Sequence, residues 1–279
     1  MPYPEPHIIT PLSPSNHAHT CILLHGRGSN GPESAEEVFF SQTSHGKNPP
    51  AALSTWRWVF PTARLRWSET FEDLTAWFDL PSLVYPDEGR ETQLEGLGES
   101  VRFVRGVLKK EVAILGGGER VILGGMSQEM ATGLWTLFSL GASEDGLGER
   151  MGGFLGTCGW LLFAGDIEGL RVGDRGDGNG RAKAALEFFS KEIWPGSELG
   201  KTDDVDTVVL SVPVLLMHGA DDAFVSIELA RQARRALEET MGMPVQWLEF
   251  TGAENDGHSV KEPEGFDRIL RSFEERSSI

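Results

Sequence analysis

Six short stretches of the chain are almost wholly apolar: TCILLH (20–25), RWVF (57–60), RVILGG (120–125), GGFLGTCGW (152–160), VPVLLMHG (212–219) and VQWLEF (245–250). They lack the in-and-out alternation of a half-exposed sheet. Continuous apolar runs are expected of strands buried on both faces, as in a parallel sheet covered by helices. The longer segments between them carry apolar residues at helical spacing. LEGLGESVRFVRGVLKKEVAIL (94–115) is one of these helix candidates. SIELARQARRALEETMG (226–242) starts on a serine N-cap and ends at a glycine, and PEGFDRILRSFEERSS (263–278) opens with proline at a first helical position. This strand–helix alternation predicts an α/β protein with a mostly parallel, doubly wound sheet and helices on both faces.

One segment interrupts the rhythm. The first part of residues 164–206 is rich in Gly and Asp and predicts a surface loop, while RAKAALEFFSKEIW (181–194) predicts an amphipathic helix. We expect a single domain over 1–279 with 164–206 as a lid-like insertion. A calcium loop counted from Asp177 would place Arg181 at position five and Phe188 at position twelve, which excludes an EF-hand.

Composition narrows the classes of function. The chain has 279 residues, 39% hydrophobic and 24% charged, enough for a sizeable core. Its formal net charge of −17 repels phosphate backbones and anionic surfaces, so nucleic acid is not an expected partner. No apolar run approaches the roughly 18–20 residues of a membrane span, so no stable membrane insertion is expected. The start, MPYPEPHIITPLSPSNHAHT, lacks the basic and apolar regions of a signal peptide. Cys21 and Cys158 both lie in apolar runs and read as buried free thiols, consistent with a reducing, cytoplasmic setting.

The candidate chemistry centres on GGMSQEMA (124–131). Gly125-Met126-Ser127-Gln128-Glu129 departs from the nucleophile-elbow pattern G-x-S-x-G only at its last residue. RVILGGMSQEMATGLWTLFSLG (120–141) supplies the required context, a strand, a tight turn and a helix with Ser127 at the turn. Such a turn lifts the serine Oγ above the strand end. It also sets the Gln128 amide at a helix N-terminus, where it can stabilise an oxyanion. A serine nucleophile needs a base, and the base needs an orienting acid. LLMHGADDAFVS (215–226) places Asp222 just past a strand, with Asp221 as its nearest competitor and Glu254 and Asp256 as weaker ones. LEFTGAENDGHSV (248–260) places His258 after the next strand, in the chain order Ser, acid, His. Of seven histidines only His25, His218 and His258 sit in strongly patterned contexts, and the first two each end a strand before glycine. LLHGRGSNG (23–31) offers a second oxyanion donor in a loop whose glycines permit close backbone approach. Trp67, Trp77 and Trp160 are candidates for lining an acyl pocket, although tryptophans also fill cores.

HGRG (25–28), FPTA (60–63), WFD (77–79), GGMSQ (124–128), HGADD (218–222) and DGHSV (256–260) follow one another in a familiar order. Over roughly residues 18–275, apart from 164–206, the chain resembles the phospholipase/carboxylesterase branch of the α/β-hydrolases, which includes acyl-protein thioesterases. The resemblance implies an α/β-hydrolase fold and hydrolysis of carboxylic esters or thioesters without metal or cofactor. It implies Ser127 as nucleophile, His258 as base, Asp222 as acid, and the amides of Arg27 and Gln128 as oxyanion donors. The substrates it implies are small-molecule esters and acyl thioesters, acylated proteins among them.

Glu129 is the main departure from that pattern. Glycine at this position lets the helix pack closely on the strand. An acid in the first helical turn gains about 0.3–1 kcal/mol from the helix dipole. As an anion about 8 Å from a developing oxyanion it costs about 2 kcal/mol at an effective dielectric near 20. That is about 30-fold in rate. Two other readings therefore stand beside hydrolysis: a binding protein whose elbow Glu129 has disabled, and a lyase, cyclase or acyl-transfer enzyme that uses Glu129 as acid or base in the substrate pocket.

Overall fold

The computed structural model describes residues 2–13, 16–68, 72–142, 151–170, 178–194 and 207–277. Among them, nine strands form two sheets: β1 (His7–Ile9), β2 (His19–Leu24), β3 (Trp56–Phe60), β4 (Arg64–Ser68), β5 (Glu72–Ala76), β6 (Val121–Met126), β7 (Gly153–Thr157), β8 (Val214–Gly219) and β9 (Val245–Phe250). The main sheet has seven strands in the order β1-β3-β2-β6-β7-β8-β9. Every neighbouring pair is parallel except β1, which runs antiparallel to β3 at the edge. β4 and β5 pair separately as an antiparallel ribbon, with Arg64 opposite Ala76 and Ser68 opposite Glu72.

The α-helices are α1 (Gly31–Phe40), α2 (Pro49–Ala52), α3 (Arg90–Leu115), α4 (Gln128–Phe138), α5 (Ala164–Glu168), α6 (Gly178–Ile193), α7 (Ile227–Arg235) and α8 (Glu264–Ser277). α3 begins four residues before the predicted start and ends at Gly116, whose left-handed φ of 74° lets its N–H reach the Val112 carbonyl. The predicted helix 226–242 is two pieces: α7, capped by the Ser226 side chain, and a π-turn over Ala236–Thr240 that buries Leu237. None of the described helices is long and apolar enough to cross a membrane.

Why the strands do not alternate is plain from their packing. Successive residues point to opposite faces, and both faces are covered. Leu123, Phe154 and Leu216 join a core with Val101 and Val104 of α3, Leu134 of α4 and Phe189 of α6. Their neighbours Ile122, Leu155 and Leu215 join a second core with Ala35 of α1 and Phe266, Ile269 and Phe273 of α8. Within 164–206, residues 171–177 and 195–206 lie outside the described residues. The described part packs closely on the body. α6 buries Ala185, Leu186, Phe189 and Ile193, and the Phe189 ring lies 4.7 Å from Trp135 and 4.6 Å from Phe138.

Candidate active site

The turn between β6 and α4 holds Ser127 at φ 66° and ψ −124°. That conformation is strained for any residue with a side chain, by about 1–3 kcal/mol, so the surroundings must enforce it. The Ser127 N–H donates to the Thr157 carbonyl at 2.9 Å, and its own carbonyl accepts from Met130 N–H at 3.1 Å. A Cβ on Gly159 would sit 2.5 Å from the Ser127 carbonyl oxygen, and a Cβ on Gly125 would overlap the Cβ of Glu129. Gly125 thus makes the room that a glutamate at the end of the elbow requires. α4 starts at Gln128, directly after Ser127.

Gln128 is fully buried. Its Oε1 accepts from the Trp77 backbone N–H at 3.0 Å and its Nε2 donates to the Phe78 carbonyl at 2.9 Å. The side chain is therefore a brace, and only its backbone amide is left for chemistry. Trp77 continues the network: its indole N–H donates to the His25 carbonyl at 2.9 Å. His25 Nε2 accepts from Ala63 N–H at 2.8 Å, so the ring proton is on Nδ1, 2.8 Å from the Gly26 carbonyl that accepts it. Burial lowers the His25 pKa and favours this neutral form. The segments HGRG, FPTA and WFD are thus one hydrogen-bonded unit that shapes the loop before α1. Trp77, a pocket candidate from the sequence, is instead fully buried within this unit and does not line the cavity.

On the far side, Asp222 and His258 come from the loops after β8 and β9. Asp222 Oδ2 lies 2.8 Å from His258 Nδ1, and Oδ1 accepts from the N–H groups of Phe224 and Val225 at 2.9 Å each. The Asp222 side chain is fully shielded from solvent. Burial raises its pKa, but the bonds from His258 and the two amides outweigh it and hold the carboxyl below its ordinary value. Asp221, the competitor, turns the other way and accepts from Gly252 N–H at 2.8 Å. His218 donates Nε2–H to the Val225 carbonyl at 2.9 Å and shapes the same loop.

Arg27, Ser127, Gln128 and His258 line one cavity of about 550 Å³, together with Leu74, Leu80, Leu83, Trp160 and Phe224. That is within the range of small-molecule sites. Ser127 keeps 8% exposure. The backbone N–H groups of Arg27 and Gln128 have no acceptor among the described residues. Trp67 lies in β4, but its side chain is outside the described residues. The apolar run around Cys158 marks it as core but does not reveal its neighbours. Its sulfur, the Asp222 carboxylate and a His258 ring nitrogen lie within 4.8 Å of one another. Burial pushes its thiol up to about 12. Cys158 is fully buried, its Sγ donates to the Ser259 carbonyl at 3.6 Å, and it lies beside the Asp222–His258 pair.

Glu129 is not on the cavity wall. It is fully buried, and neither carboxylate oxygen has a hydrogen-bond partner among the described residues. The Trp77 indole N–H is close enough to favour a carboxylate but is spent on the His25 carbonyl. Burial pushes the carboxyl well above the ordinary range, and the negative field of Glu37 pushes the same way. Burial thus favours the neutral form, which would place no charge beside the oxyanion.

The family profile described as phospholipase/carboxylesterase matches residues 5–170. Acyl-protein thioesterase 1 of Eremothecium gossypii is 32% identical over 140 residues, 50% of this chain and 53% of that protein. Acyl-protein thioesterase 1 of Gibberella zeae is 24% identical over 268 residues, 91% of this chain and 89% of that one. The crystal structure of Zea mays acyl-protein thioesterase 2 superposes with a TM-score of 0.68 at 23% identity, covering 99% of this chain and all of that one. The chain belongs to the phospholipase/carboxylesterase family of α/β-hydrolases.

Proposed function

We propose that the protein hydrolyses carboxylic esters or thioesters through an acyl-enzyme on Ser127. The observation that carries this is the 2.8 Å Asp222–His258 pair lying behind the cavity on which strained Ser127 also opens. Ionised Asp222 holds the proton on His258 Nδ1 and leaves Nε2 free to accept. His258 Nε2 takes the Ser127 proton as Oγ bonds to the substrate carbonyl carbon. The resulting oxyanion accepts from the amides of Arg27 and Gln128. Collapse breaks the bond to the alcohol or thiol, which leaves with the proton from His258. Water, deprotonated by the same imidazole, then attacks the acyl-serine and releases the acid and the free enzyme. Leu74, Leu80, Leu83 and Trp160 form an apolar wall suited to the acyl group. The thioesterase names of the relatives extend the substrate class to acylated proteins. The free, buried cysteines support action in a reducing compartment such as the cytoplasm.

The cavity lining gives no support to Glu129 as a reacting acid, and the intact turn gives none to a disabled elbow. Ser127→Ala is expected to lower kcat on p-nitrophenyl butyrate and on an acyl thioester by at least about 1000-fold with an unchanged melting temperature. Equal turnover by the folded variant would sink the assignment.

A further inference from the structure

We propose that a compact apolar chamber behind the elbow is a second substrate subsite, which takes a neutral apolar group of about six carbons. The chamber measures about 130 Å³ and lies between the sheet and helices α1 and α8, with Leu23, Val38, Trp58, Leu155, Ile269 and Phe273 in its wall. These side chains belong to the core on the α1/α8 face, whereas Leu80, Leu83 and Trp160 of the catalytic cavity belong to the opposite one. The two spaces are distinct volumes on either side of the same turn.

Three features place the chamber within reach of the reacting atoms. Its wall includes the residue before Arg27, the residue before Ser127 and the residue after His258, namely Gly26, Met126 and Ser259. Gly26, Glu37 and Met126 also line the catalytic cavity, so the two spaces share a border. At that border a Cβ on Gly26 would meet no atom within 4 Å, so the space beside Gly26 is open.

Size and charge then select the occupant. Apolar cavities of about 150 Å³ stay dry and bind benzene. A chamber of about 130 Å³ therefore admits a phenyl ring or a short alkyl chain and excludes a long one. Glu37 is exposed at the shared rim, where its acid repels an anionic end group. The guest is thus an uncharged apolar group, on either the acyl or the alcohol side of the ester. Each methylene seated there should raise kcat/KM about fourfold.

This inference rests on the ester or thioester hydrolysis proposed above, and its test keeps the two apart. Two substrate series are assayed, p-nitrophenyl esters from acetate to decanoate and acetate esters from ethyl to octyl. The enzymes are the wild type, Val38→Phe and Ile269→Phe, both of which fill the chamber from its helical side. In the wild type, one series should climb with chain length and level off near six carbons. Both fillers should flatten that climb, losing at least tenfold on the six-carbon substrate and less than twofold on the two-carbon one. Which series responds identifies the acyl or the alcohol side. Identical chain-length profiles in all three proteins, with serine-dependent turnover intact, overturn the chamber and spare the hydrolase. If the fillers fail to fold, Ile269→Ala should move the plateau upward by two to three carbons, and an unmoved plateau counts against the subsite. If the wild type hydrolyses nothing, the hydrolase reading fails, and benzene binding reads the chamber directly. Saturating benzene should then raise the wild-type melting temperature and leave the Ile269→Phe value unmoved; no wild-type shift overturns the proposal.

Discussion

The turn that carries Ser127 and the two loops that carry Asp222 and His258 are held in place by opposite means. The turn is set by volume. Gly125 and Gly159 leave no room for a side chain, Glu129 and Gln128 are fully buried, and the backbone is forced into a strained conformation. The loops are set by hydrogen bonds. Asp222 accepts from two amides and from His258, Asp221 accepts from Gly252, and His258 N–H donates to the Asn255 carbonyl at 2.9 Å. Two residues of the last loop, Asn255 and Asp256, sit at φ 53°, a region Asn and Asp tolerate better than most. Packing errors are felt as stability, whereas a lost charge or tautomer is felt as rate. Substitutions that overfill the turn should therefore lower stability, and substitutions of the charged groups in the loops should lower turnover at nearly constant stability.

Asp222→Asn tests the loop half and should have the largest effect. Asparagine can still accept from Phe224 and Val225, so the loop survives. It no longer stabilises the imidazolium or fixes the proton on Nδ1, and kcat should fall by about 10⁴-fold. Steady-state kinetics beside a thermal melt decide the matter. A drop below tenfold, or a rate loss that tracks a large stability loss, would erase the distinction. Gly125→Ala tests the packed half. Its new methyl overlaps the Glu129 Cβ, and overpacking of this kind costs about 1–3 kcal/mol. Glu129→Gly should recover most of that loss when combined with it, and not when introduced alone. Denaturant titration of the four proteins gives the coupling, and strict additivity would mean that the two positions do not share one space.

The same division explains what could be read from the chain. The continuous apolar runs announced a sheet buried on both faces because that signal is local and the burial is complete. The strand–turn–helix around Ser127 and the order of Asp222 and His258 were legible for a similar reason, as each stands at the end of a recognisable strand. The β4–β5 ribbon was not, because RLRWS (64–68) and EDLTA (72–76) are short and mixed in polarity. The roles of Trp77 and the Gln128 side chain were hidden too. They depend on hydrogen bonds across 51 and 52 residues of sequence. Cys158 looked like core and is core, yet its place behind the imidazole follows only from three loops meeting. Glu129 shows the limit most clearly. Its type suggested a charge, while its state is decided by an enclosure built from distant segments.

That enclosure makes a smaller prediction, and one whose sign can be worked out. The folded-state pKa of Glu129 is raised by burial, while in the unfolded chain the group titrates near the ordinary value of about 4.3. Below that value both states are protonated and no difference arises. As pH rises above it, the unfolded state sheds a proton that the folded state keeps, so the folded state loses ground, by at most about 1.4 kcal/mol per pH unit. The loss continues until the pH passes the folded-state pKa. Glu129→Gln keeps the shape and removes the titration. The two proteins should have similar stabilities at pH 4, and the variant should gain between pH 5 and 6, as read from denaturant midpoints. Because the acid lies off the cavity wall, kcat at pH 6 should change by less than about threefold. A parallel pH dependence of stability in the two proteins would mean that Glu129 is ionised in the fold. The electrostatic burden on the elbow would then return, and the turn would be governed by charge as much as by packing.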